Sequence, residues 1–164
     1  GMTGGRGTRE LIFGSITADL MDKLPCTIIA IPYKSRILNI DRVAVASDKK
    51  SMVPESQLYV LNFITEAFSA KVDIFHVAKK EATVIAEASE VKESYENLFK
   101  YNIHRFFEVK GENLLKEIKK YVEEHQIDLL ALLHHRSGNH EHKRSITKQL
   151  AFSLNIPLLV IPVK

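Results

Sequence analysis

Residues 42–48 read RVAVASD, a short run rich in valine and alanine that ends in an acidic residue. The run predicts a β-strand, and Pro54, Leu61, Ile64 and Phe68 follow at the spacing of a helix that begins near the proline. The same alternation of apolar run and helical pattern continues to the end of the chain. The predicted strands are residues 42–48, 71–78, 103–109, 127–133 and 157–162.

Four helical patterns separate these strands. They begin near Pro54, span Ala82 to Lys100, follow residue 111, and start again at about Ser145. The interior strands are nearly continuous apolar runs, as expected for strands covered on both faces. The chain is therefore predicted to be an α/β protein with a flavodoxin-like or Rossmann-like, doubly wound, five-stranded parallel sheet in the order 3-2-1-4-5.

Composition limits the functional class. The 164 residues are 45% hydrophobic, which is enough for one domain core, and the net charge of +3 comes from 23 basic and 20 acidic residues that are spread along the chain. This distribution argues against a nucleic-acid partner, and no apolar run approaches the ~20 residues of a membrane span. Cys26 is alone, so we expect no disulfide within the chain and a cytoplasmic location. Gly1 before Met2 is interpreted as the scar of a cleaved tag.

Residues 14–32 and 144–162 repeat one another without a gap. Ser15 and Ser145 are 130 positions apart, and the same offset relates Leu20 to Leu150 and Pro32 to Pro162. Because that offset is about one domain length, residues 1–35 are predicted to be the last helix and strand of a first domain. Residues 36–164 are then a complete second domain, with a linker at about 33–40.

The first copy also carries a glycine pattern. Gly1, Gly4, Gly14 and Ser15 fit the phosphate loop G-x2-G-x9-G-[S/T], and the chain resembles the universal stress protein family in this loop. The phrases KLPCTIIAIP and IFHVA and the strand-ending Asp48 strengthen the resemblance, which implies a five-stranded α/β sheet. In the ATP-binding branch of that family, it implies that loop glycines approach the phosphates, that the serine adds a hydroxyl, and that the aspartate lies near the adenosine.

The second copy departs from this pattern. By the internal alignment, His134, Ser137 and Arg144 replace glycines, and bulky side chains there are expected to close the phosphate cradle. The resemblance then implies a stress-response domain of the non-ATP-binding type that is not an enzyme, has no cofactor, and acts through dimerisation and partner contacts. ATP is expected only in the absent first domain or at a degenerate site. The candidate nucleotide-binding residues are Asp48, Gly4, Gly7, Gly14, Ser15, Arg136 and Ser145.

Two alternatives remain open. In the first, Arg136, Lys143 and Arg144 grip a phosphate by charge, which would make the domain a nucleotide-binding switch. In the second, the loop HHRSGNHEH binds zinc through its histidines. These histidines are His134, His135, His140 and His142. Some candidate residues also have a purely structural interpretation. Asp48, Ser15 and Ser145 are suited to capping helices, and His76 is suited to a structural role.

The first-copy helix and strand need a surface to cover them. We expect Ile16, Leu20 and Leu24 on one helix face, and residues 26–32 paired antiparallel with residues 157–162 within one chain or between two chains. A homodimer is predicted. The residues assigned to the strand and dimer interface are Ile28, Ile29, Ile31, Leu158, Val160 and Pro162.

Overall fold

The structure is a computed structural model that describes residues 20–21, 24–32, 35, 39–46, 54–78, 87–111, 113–135 and 146–163. Strands and helices alternate along the chain, as the sequence predicts. In chain order the elements are β1 (Ile28–Ala30), β2 (Arg42–Ala46), α1 (Glu55–Ala67), β3 (Lys71–Ala78), α2 (Glu87–Leu98), β4 (His104–Lys110), α3 (Leu114–Glu124), β5 (Leu129–His135), α4 (Ile146–Ala151) and β6 (Leu158–Val163).

The strands form one six-stranded sheet in the order β1-β6-β5-β2-β3-β4. Strands β2 to β6 are parallel, and β1 joins the sheet antiparallel to β6. Counted from β2, the five parallel strands lie in the order 3-2-1-4-5 that the sequence predicts. The carboxyl ends of β2 and β5 are therefore neighbours, with Ala46 paired to Leu132.

The predicted bounds of β5 need a correction. The strand was expected at 127–133 but runs from Leu129 to His135. Ile127 is buried before the strand begins, and the Asp128 carboxylate accepts hydrogen bonds from the backbone N–H groups of Asp41 and Arg42, at 3.0 and 2.9 Å. Asp128 thus holds the backbone where β2 begins, and neither Ile127 nor Asp128 belongs to β5.

Alternating side chains divide the core between the two faces of the sheet. Val43 and Val45 point to the face covered by α1 and the end of α2, while Ala44 points to the face covered by α3 and α4. Each face is buried under helices, which explains why the strands are apolar on both sides.

The face predicted for the helix before β1 is not covered within this chain at the two positions that the structure describes. Leu20 and Leu24 are 42% and 37% exposed, whereas Met21 is buried and packs in the cluster that contains Ala30 and Val160. An unbranched methionine side chain adapts well to a cluster of this kind. Ile16, the third residue of the predicted face, lies outside the described residues.

Within the described parts of the chain, no helix combines the length and the apolar character needed to cross a membrane.

Candidate functional site

The predicted site lies where β2 and β5 end. β2 is described as far as Ala46, and β5 continues beyond it to His135, alongside Val163 of β6. The segment after β5 returns to α4, which begins at Ile146. The carboxyl ends of two neighbouring parallel strands thus lead into the segments that contain the candidate residues, the usual place for a ligand in a doubly wound sheet.

The candidate side chains themselves are outside the description. Asp48, Arg136 and Ser145 fall in the segments after β2 and β5, and Gly4, Gly7, Gly14 and Ser15 precede the first described residue. Their nucleotide-binding role stays a prediction. The same holds for the zinc alternative, because the loop of residues 136–145 contains His140 and His142. Among the residues that are described, no three His, Cys, Asp or Glu side chains are grouped to hold a metal ion.

The pairing of β1 with β6 has the antiparallel direction expected from the repeat. Each β1 residue has a sequence counterpart 130 positions later, and these counterparts are Leu158, Leu159 and Val160. The observed pairs are Ile28 with Val160, Ile29 with Leu159 and Ala30 with Leu158. The register is symmetric under exchange of the two copies, so a local pseudo-twofold axis passes between Ile29 and Leu159.

Burial breaks this symmetry on one face of the sheet. Leu159 and Ile161, which lie on the α1 face, are fully buried. Their sequence counterparts Ile29 and Ile31 are 44% and 54% exposed. The first copy therefore presents to solvent the apolar side chains that the second copy buries.

A buried ion cluster at the amino ends of the strands was not predicted. Asp73 is fully buried on β3, and the Arg105 guanidinium on β4 donates to its two carboxylate oxygens at 3.0 to 3.3 Å. Arg42 on β2 approaches the same carboxylate at 3.8 Å, and its Nη1 donates to the His125 carbonyl at 2.8 Å. The cluster joins three strands and the end of α3. A sequence signal existed, because a carboxylate inside the apolar run KVDIFHVA requires a partner.

Tyr121 closes the cluster from α3. Its ring stacks on Phe75 at 4.5 Å and lies 4.2 Å from the ring of His125. Burial, with the negative charge of Asp73 as a second cause, raises the pKa of the Tyr121 hydroxyl above its usual value. The hydroxyl is buried and meets no hydrogen-bond partner at bonding geometry. This arrangement stabilises the neutral phenol, and we assign the cluster a structural role.

A groove of about 320 Å³ lies on the face of the sheet that α1 covers, opposite the face that carries the Asp73 cluster. It runs between the start of α1, the end of β6 and the segment that leads into β1. The lining residues that belong to the described part of the chain are uncharged: Pro25, Cys26, Thr27, Ser56, Gln57, Tyr59, Val60, Pro162 and Val163. The sequence did not predict this groove, because its walls come from three distant parts of the chain.

No family model and no curated protein matches the sequence. Solved structures do match the fold. A universal stress protein from Archaeoglobus fulgidus DSM 4304 superposes with a TM-score of 0.71 at 16% identity, over 93% of this chain and 55% of the other. A functionally unknown protein from Pseudomonas aeruginosa PAO1 gives a TM-score of 0.66 at 11% identity, over 92% of this chain and 57% of the other.

A universal stress protein in complex with cAMP gives a TM-score of 0.59 at 16% identity, over 77% of this chain and 99% of the other. The chain thus has the fold of the universal stress proteins, an α/β fold with a mostly parallel sheet. It spans 55% of the length of the Archaeoglobus protein.

Proposed function

We propose that this chain is a universal stress protein domain of the non-ATP-binding type, which acts in the cytoplasmic stress response through dimerisation and partner contacts and not as an enzyme. The fold likeness and the sequence resemblance support the family. One observation carries the functional type: the internal repeat puts His134, Ser137 and Arg144 where the first copy has glycines. A backbone that must approach a phosphate closely has no room for a Cβ at such positions.

The order of the elements fits this proposal. His134 and His135 still belong to β5, and the candidate residues from 136 to 145 stand in the sequence between that strand and α4, which begins at Ile146. A phosphate cradle in this segment would need backbone N–H groups turned toward the ligand. Arg144 stands before Ser145 where the first copy has Gly14. A side chain at this position supplies a positive charge to a phosphate but hinders a close approach of the backbone.

The test is a calorimetric titration of the chain with ATP. We expect no heat of binding at micromolar ATP, because three positions of the cradle are filled. The Arg144→Gly variant is the matched control and should behave in the same way, since His134 and Ser137 remain. Micromolar affinity for ATP in the unaltered chain would contradict the proposal.

The second candidate is a nucleotide-binding switch, favoured by the cAMP complex of one structural neighbour. Arg136, Lys143 and Arg144 would then hold the phosphate by charge. The same titration with cAMP and AMP separates the two candidates. Binding that is lost in Arg144→Gly and weakens with salt supports the switch, whereas no binding of either nucleotide leaves the first candidate.

The domain division is part of the proposal. Residues 1–35 are assigned to a first domain and residues 36–164 to a complete second one. The matched share of the chain supports this division: the two longer structures cover 93% and 92% of it, and the cAMP-bound protein covers 77%.

Dimerisation is proposed on the β1 side of the sheet. Among the described strands, β1 pairs only with β6, so its outer edge is available to another strand. Ile29 and Ile31 are exposed beside this edge, on the face of the sheet that α1 covers over β6. A second copy that approaches by twofold symmetry would bury the same surface on both subunits.

We expect light scattering to report a dimer at micromolar concentration, and the Ile29→Lys variant to be a monomer, because it places a charge in the interface. Ile103→Lys is the matched control, since Ile103 is 68% exposed just before β4, at the opposite end of the sheet, and its replacement should leave the dimer intact. A monomeric unaltered chain, or an Ile29→Lys variant that still dimerises, would refute this interface.

A further inference from the structure

One face of β1 is apolar and exposed, and the second copy shows what covers such a face. Leu159 and Ile161 of β6 are fully buried in the cluster to which α1 contributes. Their counterparts in β1, at the offset of 130 positions, are Ile29 and Ile31, which are 44% and 54% exposed. The two strands thus carry the same kind of side chain on this face of the sheet, and in β6 a helix buries them.

The register of the two strands fixes where a helix over β1 would lie. Ile29 lies directly opposite Leu159, and the pairs on either side of it are symmetric. The local twofold axis at this pair is perpendicular to the sheet, so it keeps each face of the sheet on its own side. Applied to α1, the axis places a second helix on the same face, over β1, and this helix runs antiparallel to α1.

The segment that precedes β1 lies on the other face of the sheet. Met21 packs in the cluster that contains Ala30. Because successive side chains of a strand point to opposite faces, Ile29 and Ile31 project away from that cluster. This segment therefore does not supply the cover.

One flank of α1 provides a side wall for the second helix. Val60 and Ile64 are one helical turn apart and are only partly buried against the α1-face cluster. Val60 lies near residues 25–27, which lead into β1, so this flank of α1 faces β1. Packed helices lie about 8–10 Å apart, which is about two strand spacings. Since α1 packs on side chains of β5 and β6, a neighbouring helix at that distance lies over β1 and its outer edge.

From these observations we propose that this face of β1 binds an amphipathic helix of a partner protein, which lies beside α1 and antiparallel to it. Its apolar side chains follow the spacing of Leu58, Leu61 and Thr65, the positions that α1 buries. The backbone edge of β1 and its side-chain face are separate surfaces, so the helix can bind a monomer or a dimer that is joined at the edges. The proposal rests on the proposed function for its partner contacts, and it requires neither the dimer nor the absence of ATP binding.

A stapled peptide of residues 54–68 is the probe, because it has the sequence of α1. Tyr59 and Phe63 are 69% and 61% exposed on α1 and one turn apart, so a hydrocarbon staple in their place holds the peptide helical and leaves its apolar stripe intact. Fluorescence anisotropy of the labelled peptide measures its binding to the unaltered chain. We expect saturable binding with a dissociation constant of about 100 μM or lower.

A control peptide and two variants of the chain locate the binding. The control peptide carries Leu58→Asn and Leu61→Asn with the same staple, and circular dichroism verifies that both peptides are helical. It should bind at least about tenfold more weakly, because it lacks the apolar stripe. Ile31→Asp in the chain should weaken binding of the first peptide by a similar factor. Ile103→Asp is the matched control, since Ile103 is 68% exposed at the opposite end of the sheet.

The proposal is overturned if the first peptide shows no saturable binding or if the two peptides bind equally well. It is also overturned if Ile31→Asp leaves the binding unchanged, because the peptide would then replace α1 and not lie beside it. Light scattering on the same samples tests the other occupant, since a dimer that excludes the peptide would show that a second copy covers this face. The two peptides are compared on the unaltered chain, so that comparison decides the matter even if a variant unfolds.

Discussion

Replacement of Arg105 by Met is expected to lower the free energy of unfolding by about 3 kcal/mol. Asp73 is fully buried, and Arg105 provides its two shortest contacts, so the variant leaves a carboxylate in the core with only the longer contact to Arg42. The expected loss is at the lower end for a broken buried pair because the Arg105 side chain is 49% exposed. Urea unfolding followed by circular dichroism measures the change.

A double-mutant cycle separates the ion pair from the packing of the arginine stem. If the pair is responsible, Arg105→Met should cost much less in an Asp73→Asn background than alone. Lys92→Met is the matched surface control, since the pair of Lys92 with Glu96 is half exposed on α2 and should contribute under about 0.5 kcal/mol. Equal losses from Arg105→Met and Lys92→Met would contradict a structural role for the cluster.

Tyr121 is expected to make the protein sensitive to alkali. The pKa of its hydroxyl is raised in the fold from the ordinary value of 10.0, so the unfolded chain loses this proton first as the pH rises. The folded state then holds more protons than the unfolded state, and stability falls above pH 10.0 by about 1.4 kcal/mol per pH unit from this group.

The Tyr121→Phe variant should remove this part of the pH dependence. At neutral pH its stability should change little, because the hydroxyl lies near the Asp73 carboxylate but does not reach hydrogen-bond geometry with it. Tyr101→Phe is the control, since Tyr101 is 79% exposed and its substitution should leave the alkaline profile as it is. Urea midpoints between pH 8 and about 11.5 provide the comparison. A profile that is the same for Tyr121→Phe and the unaltered chain would disprove the assignment.

The sequence predicts the fold well because the strands are covered on both faces. A largely apolar run such as residues 71–78 is stable mainly as a strand that is covered on both faces. The structure gives β3 those same bounds. The internal repeat predicts that β1 pairs antiparallel with β6. The two strands have similar sequences, and two similar strands can pair about a local twofold axis. Local pattern and sheet packing agree at these elements.

The remaining features depend on contacts between distant residues. Asp73 and Arg105 are paired because β3 and β4 lie in a register that no single stretch of sequence reveals. Met21 rather than Leu20 is buried because the segment before β1 packs on the cluster that contains Ala30 and Val160. The groove exists only where the segment before β1 passes the end of β6. Residue types indicate such features only after the topology is known.

The two outer strands of the described sheet differ in a way that bears on the proposed dimer. β1 carries Ile29 beside its free edge, whereas β4, at the opposite end, carries His104, Arg105 and Glu108. Head-to-tail stacking of β1 on β4 would join one subunit after another into a fibre, and the charged strand opposes it. Contact between the β1 strands of two subunits would instead pair both open strand edges with each other. With the proposed dimer interface, growth would therefore stop at two subunits.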